Sequence, residues 1–226
     1  MALTTVPGSP RVRPADWLVP AGLVLVSVIP VLAGAARVGE LAGEPAATEE
    51  NARFVTAPVP VIVHIVAVTI YSILGAFQFS PAFRRRHNGW HRTAGRVLVP
   101  AAFATALSGL WMTAFYDLPA KDTVVVNSAR YVVGVVMLVA LVLAVRALLR
   151  HDYATHGDWM TRSYALAMGA GTQLLLLGPW TVIARPEPDD PATPVVNTIL
   201  MTLAWVVNAV LAEWIIRGRI RDRARR

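Results

Sequence analysis

The sequence predicts an all-α fold, a bundle of six transmembrane helices, from three observations. Of its 226 residues, 55% are hydrophobic and only 15% are charged, and the mean hydropathy is +0.52. The apolar residues fall into six blocks of about 20 residues, enough to cross a hydrocarbon layer of roughly 30 Å. The charges of the intervening loops alternate. We therefore expect one transmembrane domain, residues 17–216, between a disordered cytoplasmic tail, residues 1–16, and a basic cytoplasmic tail, residues 217–226.

The ends of the apolar blocks set the predicted helices. The first block is longer than the core of a secretory signal peptide, which favours a retained helix, although Ala33-Gly34-Ala35 resembles a cleavage site. Pro81 stops the second block, because proline does not continue a helix. The predicted helices are residues 17–38, 59–79, 97–116, 129–149, 163–184 and 195–216.

The loop charges predict the orientation of the bundle. The N-terminus, the second loop, the fourth loop and the tail are basic, whereas the first, third and fifth loops are acidic or neutral. Because basic loops stay in the cytoplasm, we expect both termini there, in a cell inner or plasma membrane. Most tryptophans fall near the predicted interfaces, as in the aromatic belts of membrane proteins.

The two basic loops, residues 84–96 and 150–162, resemble each other. His87-Asn88-Gly89-Trp90 aligns with His156-Gly157-Asp158-Trp159 at an offset of 69 residues. One interpretation is that helices 2–3 and 4–5 are two copies of one hairpin, a parallel repeat. The other is that two loops at the same interface need the same residue types. Asn88-Gly89 is typical of a turn, which places His91 before the third helix.

Charge and composition limit the partners. The net charge is +7 and cysteine is absent, which excludes disulfides and zinc–thiolate sites. The arginines lie between apolar blocks rather than along a soluble face, so they favour anionic lipid headgroups at the cytoplasmic face over nucleic acid. The oligomeric state stays open.

The second helix carries a polar face that includes His64, Tyr71 and Gln78, and such a face points into the bundle. His64 is either a ligand or proton-handling group, or a neutral histidine hydrogen-bonded across helices. Arg130 opens the fourth helix at the same outer level. It either holds an anion beside His64 or anchors the helix at the surface.

The sixth helix carries two further polar residues, Asn208 and Glu213. Glu213 lies near the inner surface, where we expect it to pair with Arg92, Arg146 or Arg162, because carboxylates inside membranes are usually paired.

A candidate ligand-binding site lies at the inner face. His87, His91 and His156, with Arg92 and Arg162, provide imidazoles for a metal or haem b and guanidinium groups for haem propionates or another anion. The alternative is a loop that only contacts lipid headgroups. No metal is identified from these residues, and no catalytic residue is predicted.

Four stretches together resemble a bacterial family of predicted membrane proteins, domain of unknown function 2306. They are His64, the run Trp90–Arg96, the run from His156 to Ala165, and the Asn208…Glu213 ending of the sixth helix, and the resemblance spans about residues 60–216. It implies a multi-pass membrane protein and no established activity. Gln173 departs from the arginine expected in the fifth helix.

A looser similarity is to cytochrome b561-type proteins, which bind haem between histidines of helices 2 and 4 and of helices 3 and 5. That similarity implies His91 and His156 as an inner pair, whereas the fourth helix has no histidine opposite His64.

Three function classes remain. The first is a redox protein that binds one haem b or a quinone at the cytoplasmic side; the alternatives are a small-molecule permease and an accessory or lipid-binding subunit. A soluble-substrate hydrolase is excluded, because there is no nucleophile elbow, phosphate loop or catalytic carboxylate pair. A permease should show broken helices near the midplane, with Pro30, Pro100 and Gly178-Pro179 as candidate positions.

Overall fold

The computed structural model describes residues 15–80, 88–119, 121–187 and 190–225, and every regular element in these ranges is a helix. Within these ranges, six spans are long and apolar enough to cross a membrane, the fifth of them comprising α6 and α7 together. The predicted all-α transmembrane bundle of six spans is confirmed. The helices are α1 (Ala15–Ala42), α2 (Ala52–Thr56), α3 (Pro58–Gln78), α4 (Asn88–Phe115), α5 (Val124–Leu149), α6 (Tyr153–Ala167), α7 (Gly169–Ile183) and α8 (Ala192–Ala224).

The bundle has two ends of opposite character. We call the basic end the one that holds the start of α1, the junction of α5 with α6 and the arginine-rich last turns of α8. The acidic end holds the segments that join α1 to α3, α4 to α5 and α7 to α8.

Neighbouring helices along the chain pack as two hairpins. α3 packs against α4, and α5 packs against α6, while α4 and α5 also contact each other. α1 closes one side of the bundle against α3 and α7, and α8 closes another against α5, α6 and α7. A duplicated hairpin requires these two pairs, and the duplication itself stays a prediction.

Two helices begin earlier than predicted, inside the basic segments. α4 begins at Asn88, so the expected turn at Asn88-Gly89 is wrong and His91 is helical. α6 begins at Tyr153, where the Asp152 carboxylate accepts the backbone N–H of Thr155 at 3.0 Å. The apolar block of each of these two helices ends at the first arginine beside it. Because arginine is a good helix former, the helices continue beyond the apolar blocks.

The predicted tails fall partly outside the described residues. Of residues 1–16, only Ala15 and Asp16 are described, and they start α1; His87 is also outside the described ranges. At the other terminus α8 continues through the basic segment to Ala224.

The fifth span is interrupted only at Met168, between α6 and α7, where the backbone stays in the right-handed helical region and keeps hydrogen bonds to Tyr164 and Thr172. The positions expected for a break are wrong, because Pro30, Pro100 and Pro179 each lie inside a continuous helix. Two glycines follow the interruption. A Cβ at Gly171 would lie 2.5 Å from the main-chain oxygen of Val26 in α1, so only glycine allows α7 to approach α1 this closely.

Large apolar side chains cover the outside of the bundle. Residues such as Leu25, Val132 and Val210 are more than half exposed, which a hydrocarbon layer tolerates and water does not. The buried core lies between α3, α4, α5 and α6 and includes Tyr71, Ala102, Leu141, Tyr164 and Leu166.

Candidate functional site

A cavity of about 480 Å³ lies between the helices of the acidic half of the bundle. Its lining starts at the acidic end with Arg53, Tyr116 and Asp122, and extends inward past His64 to Met168, where the fifth span is interrupted. We call it the His64 cavity. Because it opens at one end of the bundle and reaches past His64 to Met168, it is a candidate site for a small molecule.

His64 is half-buried in α3 and held by α4. Its Nδ1 lies 3.1 Å from the Thr105 carbonyl oxygen and 3.0 Å from the Ser108 hydroxyl. A carbonyl only accepts, so we assign the ring hydrogen to Nδ1, which leaves the lone pair on Nε2. A Cβ at Gly109 would lie 3.4 Å from the ring. The sequence left two roles open for His64, and its contacts combine a bond across helices with a place on the cavity wall.

The mouth of the His64 cavity carries an ion pair. Arg130 lies 2.8 Å from Asp122 and also donates to the Asn127 side chain at 2.8 Å. Asp122 in turn accepts from Asn197 in α8 at 3.1 Å. Arg130 therefore lies on the same cavity as His64, with its charge already balanced by a carboxylate.

A second group at the mouth is Tyr116, which follows the end of α4. Its hydroxyl donates to the Ala57 carbonyl at 2.6 Å, and partial burial raises the pKa of this hydroxyl above its usual value. The contact ties the end of α4 to the start of α3 beside the cavity.

Toward the basic end, a buried layer of aromatic and hydroxyl groups lies directly beyond the cavity. We call Tyr71, Phe79, Ser163 and Tyr164 the tyrosine layer. The Tyr71 hydroxyl lies 3.1 Å from the Ser163 hydroxyl, and the Tyr164 hydroxyl donates to the Ser72 carbonyl at 2.7 Å. The Tyr164 ring packs edge-on against Tyr71 and in a tilted arrangement against Phe79. This layer joins α3 to α6 on the basic side of the cavity.

The predicted inner-face residues have individual partners. Arg162 donates to both carboxylate oxygens of Glu213, at 2.5 and 3.1 Å, and its guanidinium stacks on Trp159 at 4.3 Å. Glu213 is thus paired with Arg162, one of the three arginines expected as its partner. The bidentate contact occupies one edge of the Arg162 guanidinium, formed by Nε and one terminal nitrogen.

The inner-face histidines lie on different helices. His156 Nδ1 lies 3.0 Å from the Ala144 carbonyl of α5, whereas His91 and Arg92 are exposed near the start of α4. The helices that pack most closely on α4 are α3 and α5, not α6. A pocket shared by His91 and His156 stays a prediction. Among the described residues, no three His, Asp or Glu side chains cluster as a metal site would.

Of the remaining intramembrane polar residues, Asn208 is buried and Gln78 is half-buried. The Asn208 side-chain oxygen accepts from Thr172 at 3.0 Å, while its amide nitrogen and that of Gln78 have no hydrogen-bond partner among the described residues. Neither residue lines the His64 cavity.

Asp158 is a residue that sequence reasoning missed. It is buried at the start of the fifth span and accepts two bonds from Arg223, at 3.0 and 3.1 Å, with Arg219 at 3.8 Å. The available signal was its position as an acid in a basic segment, together with the helical i, i+4 spacing of the two arginines.

The comparisons with known proteins agree with the fold. A family model described as a predicted membrane protein (DUF2306) matches residues 61–216, well over half of the chain. No curated protein matches, and no solved structure matches.

Proposed function

The chain belongs to the DUF2306 family of membrane proteins, and we propose that it is a small-molecule permease that takes its substrate into the His64 cavity from the acidic end. The carrying observation is the cavity itself, whose volume of about 480 Å³ falls in the usual range of about 300–1,000 Å³ for small-molecule sites.

The interrupted fifth span supports this proposal. Met168 lies between α6 and α7 and also lines the cavity. Met168 keeps a helical backbone with hydrogen bonds to Tyr164 and Thr172, so it marks a point where α6 can bend against α7 beside the cavity rather than a fully broken helix. Opening toward the basic end would require α6 to move away from α3, which separates Tyr164 from Ser72 and Tyr71 from Ser163.

The first test fills the cavity. Gly109→Met places a side chain against His64, whereas a Cβ at Gly95, in the same helix, meets nothing within 4 Å. Equilibrium dialysis of protein in lipid nanodiscs would use four probes: tetramethylhydroquinone, tetramethylbenzoquinone, benzoate and benzylammonium. We expect saturable binding of at least one probe, lost in Gly109→Met and kept in Gly95→Met. Absence of binding, or binding that survives Gly109→Met, would contradict the proposed function.

The second test separates transport from binding. Proteoliposomes preloaded with the unlabelled probe should exchange it for labelled probe faster than protein-free liposomes do, since neutral aromatic probes also cross lipid unaided, and Gly109→Met should abolish this excess rate. Binding without this transport would support a binding site in the cavity and contradict the permease function.

A second proposed function is a redox protein that binds one haem b or a quinone at the basic end through His91 and His156, with Arg92 and Arg162. It is favoured by His156, whose Nδ1 faces the Ala144 carbonyl at 3.0 Å; a histidine oriented in this way offers Nε2 to a metal. Protein produced with ample haem should show a reducible b-type spectrum that is lost in His91→Ala and in His156→Ala. A colourless protein would contradict the proposal that it binds haem.

We also propose that the basic end faces the cytoplasm, in a cell inner or plasma membrane, with anionic lipid headgroups as its partners and no nucleic acid. The arginines of the last turns of α8 support this orientation. A reporter fused after Arg226 should be active only in the cytoplasm, and activity on the other side of the membrane would reverse the orientation.

A further inference from the structure

Four of the serine and threonine hydroxyls that line the His64 cavity have already donated their hydrogens. Thr105 and Thr113 donate to carbonyls one turn back in α4, at 2.9 and 2.8 Å. Ser27 donates to its own helix at 2.9 Å, and Ser72 does so at 3.3 Å. A hydroxyl has one hydrogen and two lone pairs, so these four side chains offer a ligand only lone pairs.

His64 adds a further acceptor to the same wall. Its Nδ1 hydrogen is shared between the Thr105 carbonyl and the Ser108 hydroxyl. The Ser108 hydroxyl donates to the Ala104 carbonyl at 2.5 Å and therefore accepts from the imidazole. Both contacts hold the ring in one tautomer, whose Nε2 accepts a hydrogen bond and does not donate one.

The charges of the described lining residues disfavour a cationic ligand. Arg53 and Arg130 lie at the mouth of the cavity with a single carboxylate, Asp122, which is already paired with Arg130. A cation would approach an excess of positive charge with no free carboxylate among the described lining residues to receive it. A neutral donor avoids this repulsion.

The inner part of the cavity is apolar. Val68, Met137, Leu166 and Met168 line it, and Trp205 adds an aromatic wall with one indole N–H. Methionine sulfur and aromatic faces pack well against a flat ring.

We propose that the ligand of the His64 cavity is a neutral aromatic alcohol, a phenol or hydroquinone, whose hydroxyl donates to His64 Nε2 while its ring packs against Met137, Met168 and Trp205. This inference rests on the proposed function, since it names the substrate class of the same cavity.

The test compares three molecules with one ring skeleton. Tetramethylhydroquinone donates two hydroxyl hydrogens, its dimethyl ether donates none, and tetramethylbenzoquinone carries only acceptors. Equilibrium dialysis under anaerobic conditions, with nanodisc-embedded protein and empty nanodiscs as blank, should show the hydroquinone binding at least about tenfold more tightly than either other molecule, since each lost hydrogen bond weakens binding by roughly this factor.

The variants assign the preference to His64. His64→Phe keeps a ring and removes the acceptor, so hydroquinone affinity should fall about tenfold to that of the ether, while ether binding stays unchanged. Tyr131→Phe also keeps a ring and removes a polar group, at an exposed residue outside the cavity lining, and is the matched control that should bind as the wild type does. Thr113→Val, nearly isosteric, should weaken hydroquinone binding about two- to threefold and serves if His64→Phe does not fold.

The outcomes separate the two proposals. If the quinone or the ether binds as tightly as the hydroquinone and Gly109→Met still abolishes binding, the cavity function stands and the donor class is wrong. If none of the three molecules, nor benzoate or benzylammonium, binds saturably, the cavity function itself fails.

Discussion

The acidic and basic halves of the bundle use polar side chains in opposite ways. In the basic half they bind one another across helices, as in Arg162 with Glu213 and Tyr71 with Ser163. In the acidic half the hydroxyls of Thr105 and Thr113 bind their own helix, and the space that they leave is a cavity. The charged pair of the acidic half, Asp122 with Arg130, lies at the cavity mouth, so the cavity wall below it is lined by hydroxyls that leave open space.

The largest effect should come from emptying the tyrosine layer. Tyr164→Ala removes a buried ring and its bond to the Ser72 carbonyl, which should lower the free energy of unfolding by about 3–5 kcal/mol. Tyr131→Ala is the control, because Tyr131 is 42% exposed on the bundle surface. Denaturant titration in detergent measures both, and equal losses would contradict a structural role for the layer.

Replacement by alanine should change the free energy of unfolding in opposite directions at two glycines. Gly171→Ala places a Cβ against the main chain of Val26 and should destabilise the bundle by about 1–3 kcal/mol. Gly157, in α6 of the basic half, has nothing within 4 Å of the added Cβ. Gly157→Ala should stabilise the helix by about 0.5–1 kcal/mol. Thermal unfolding of the two variants side by side checks the signs, and a stabilising Gly171→Ala would mean that α1 and α7 are not in close contact.

Two ion pairs, Asp122–Arg130 in the acidic half and Asp158–Arg223 in the basic half, test the comparison with smaller expected effects on stability. The Asp122 and Arg130 side chains are 7% and 23% exposed, whereas Arg223 of the Asp158 pair is 44% exposed. Double-mutant cycles with Asp→Asn and Arg→Gln should give a coupling of about 1–2 kcal/mol for Asp122–Arg130 and about 0.5–1 kcal/mol for Asp158–Arg223, because solvent screens the more exposed pair. The reverse order would show that Asp158 is the better shielded acid.

The smallest effect is the pH dependence of the α6 cap. The Thr155 backbone N–H lowers the pKa of the Asp152 carboxyl. A depressed pKa stabilises the folded state above the ordinary aspartate pKa of about 4 and loses this contribution as the pH falls through the folded value. Asp152→Asn keeps a capping oxygen without the titration. The thermal midpoint of the wild type should therefore fall relative to that of Asp152→Asn as the pH drops below about 4, and parallel curves would contradict the cap.

Hydropathy and charge predicted the spans because burial in lipid depends on composition, which the sequence displays directly. The same periodicity placed His64 on an inward face, and His64 lines the cavity. The interruption at Met168 was not predicted, because it accompanies the close approach of Gly171 to α1, and a contact between distant helices leaves no local pattern.

The helical starts at Asn88 and Tyr153 were missed for a different reason. A hydropathy window stops at the first arginine, whereas the backbone hydrogen bonds continue into the interface. The pairing of Asp158 with Arg223 joins residues 65 positions apart, so the sequence displays both charges and not their contact.

The pairing of Asp158 with Arg219 and Arg223 bears on how the protein is made. Translation proceeds from the N-terminus, so the fifth span leaves the ribosome with a carboxylate at its start before either arginine has been synthesised. Until then the carboxylate must stay hydrated or bound to the insertion machinery. The basic end of α6 therefore reaches its final packing only after the last turns of α8 have emerged, which makes the docking of α8 a late step of biogenesis.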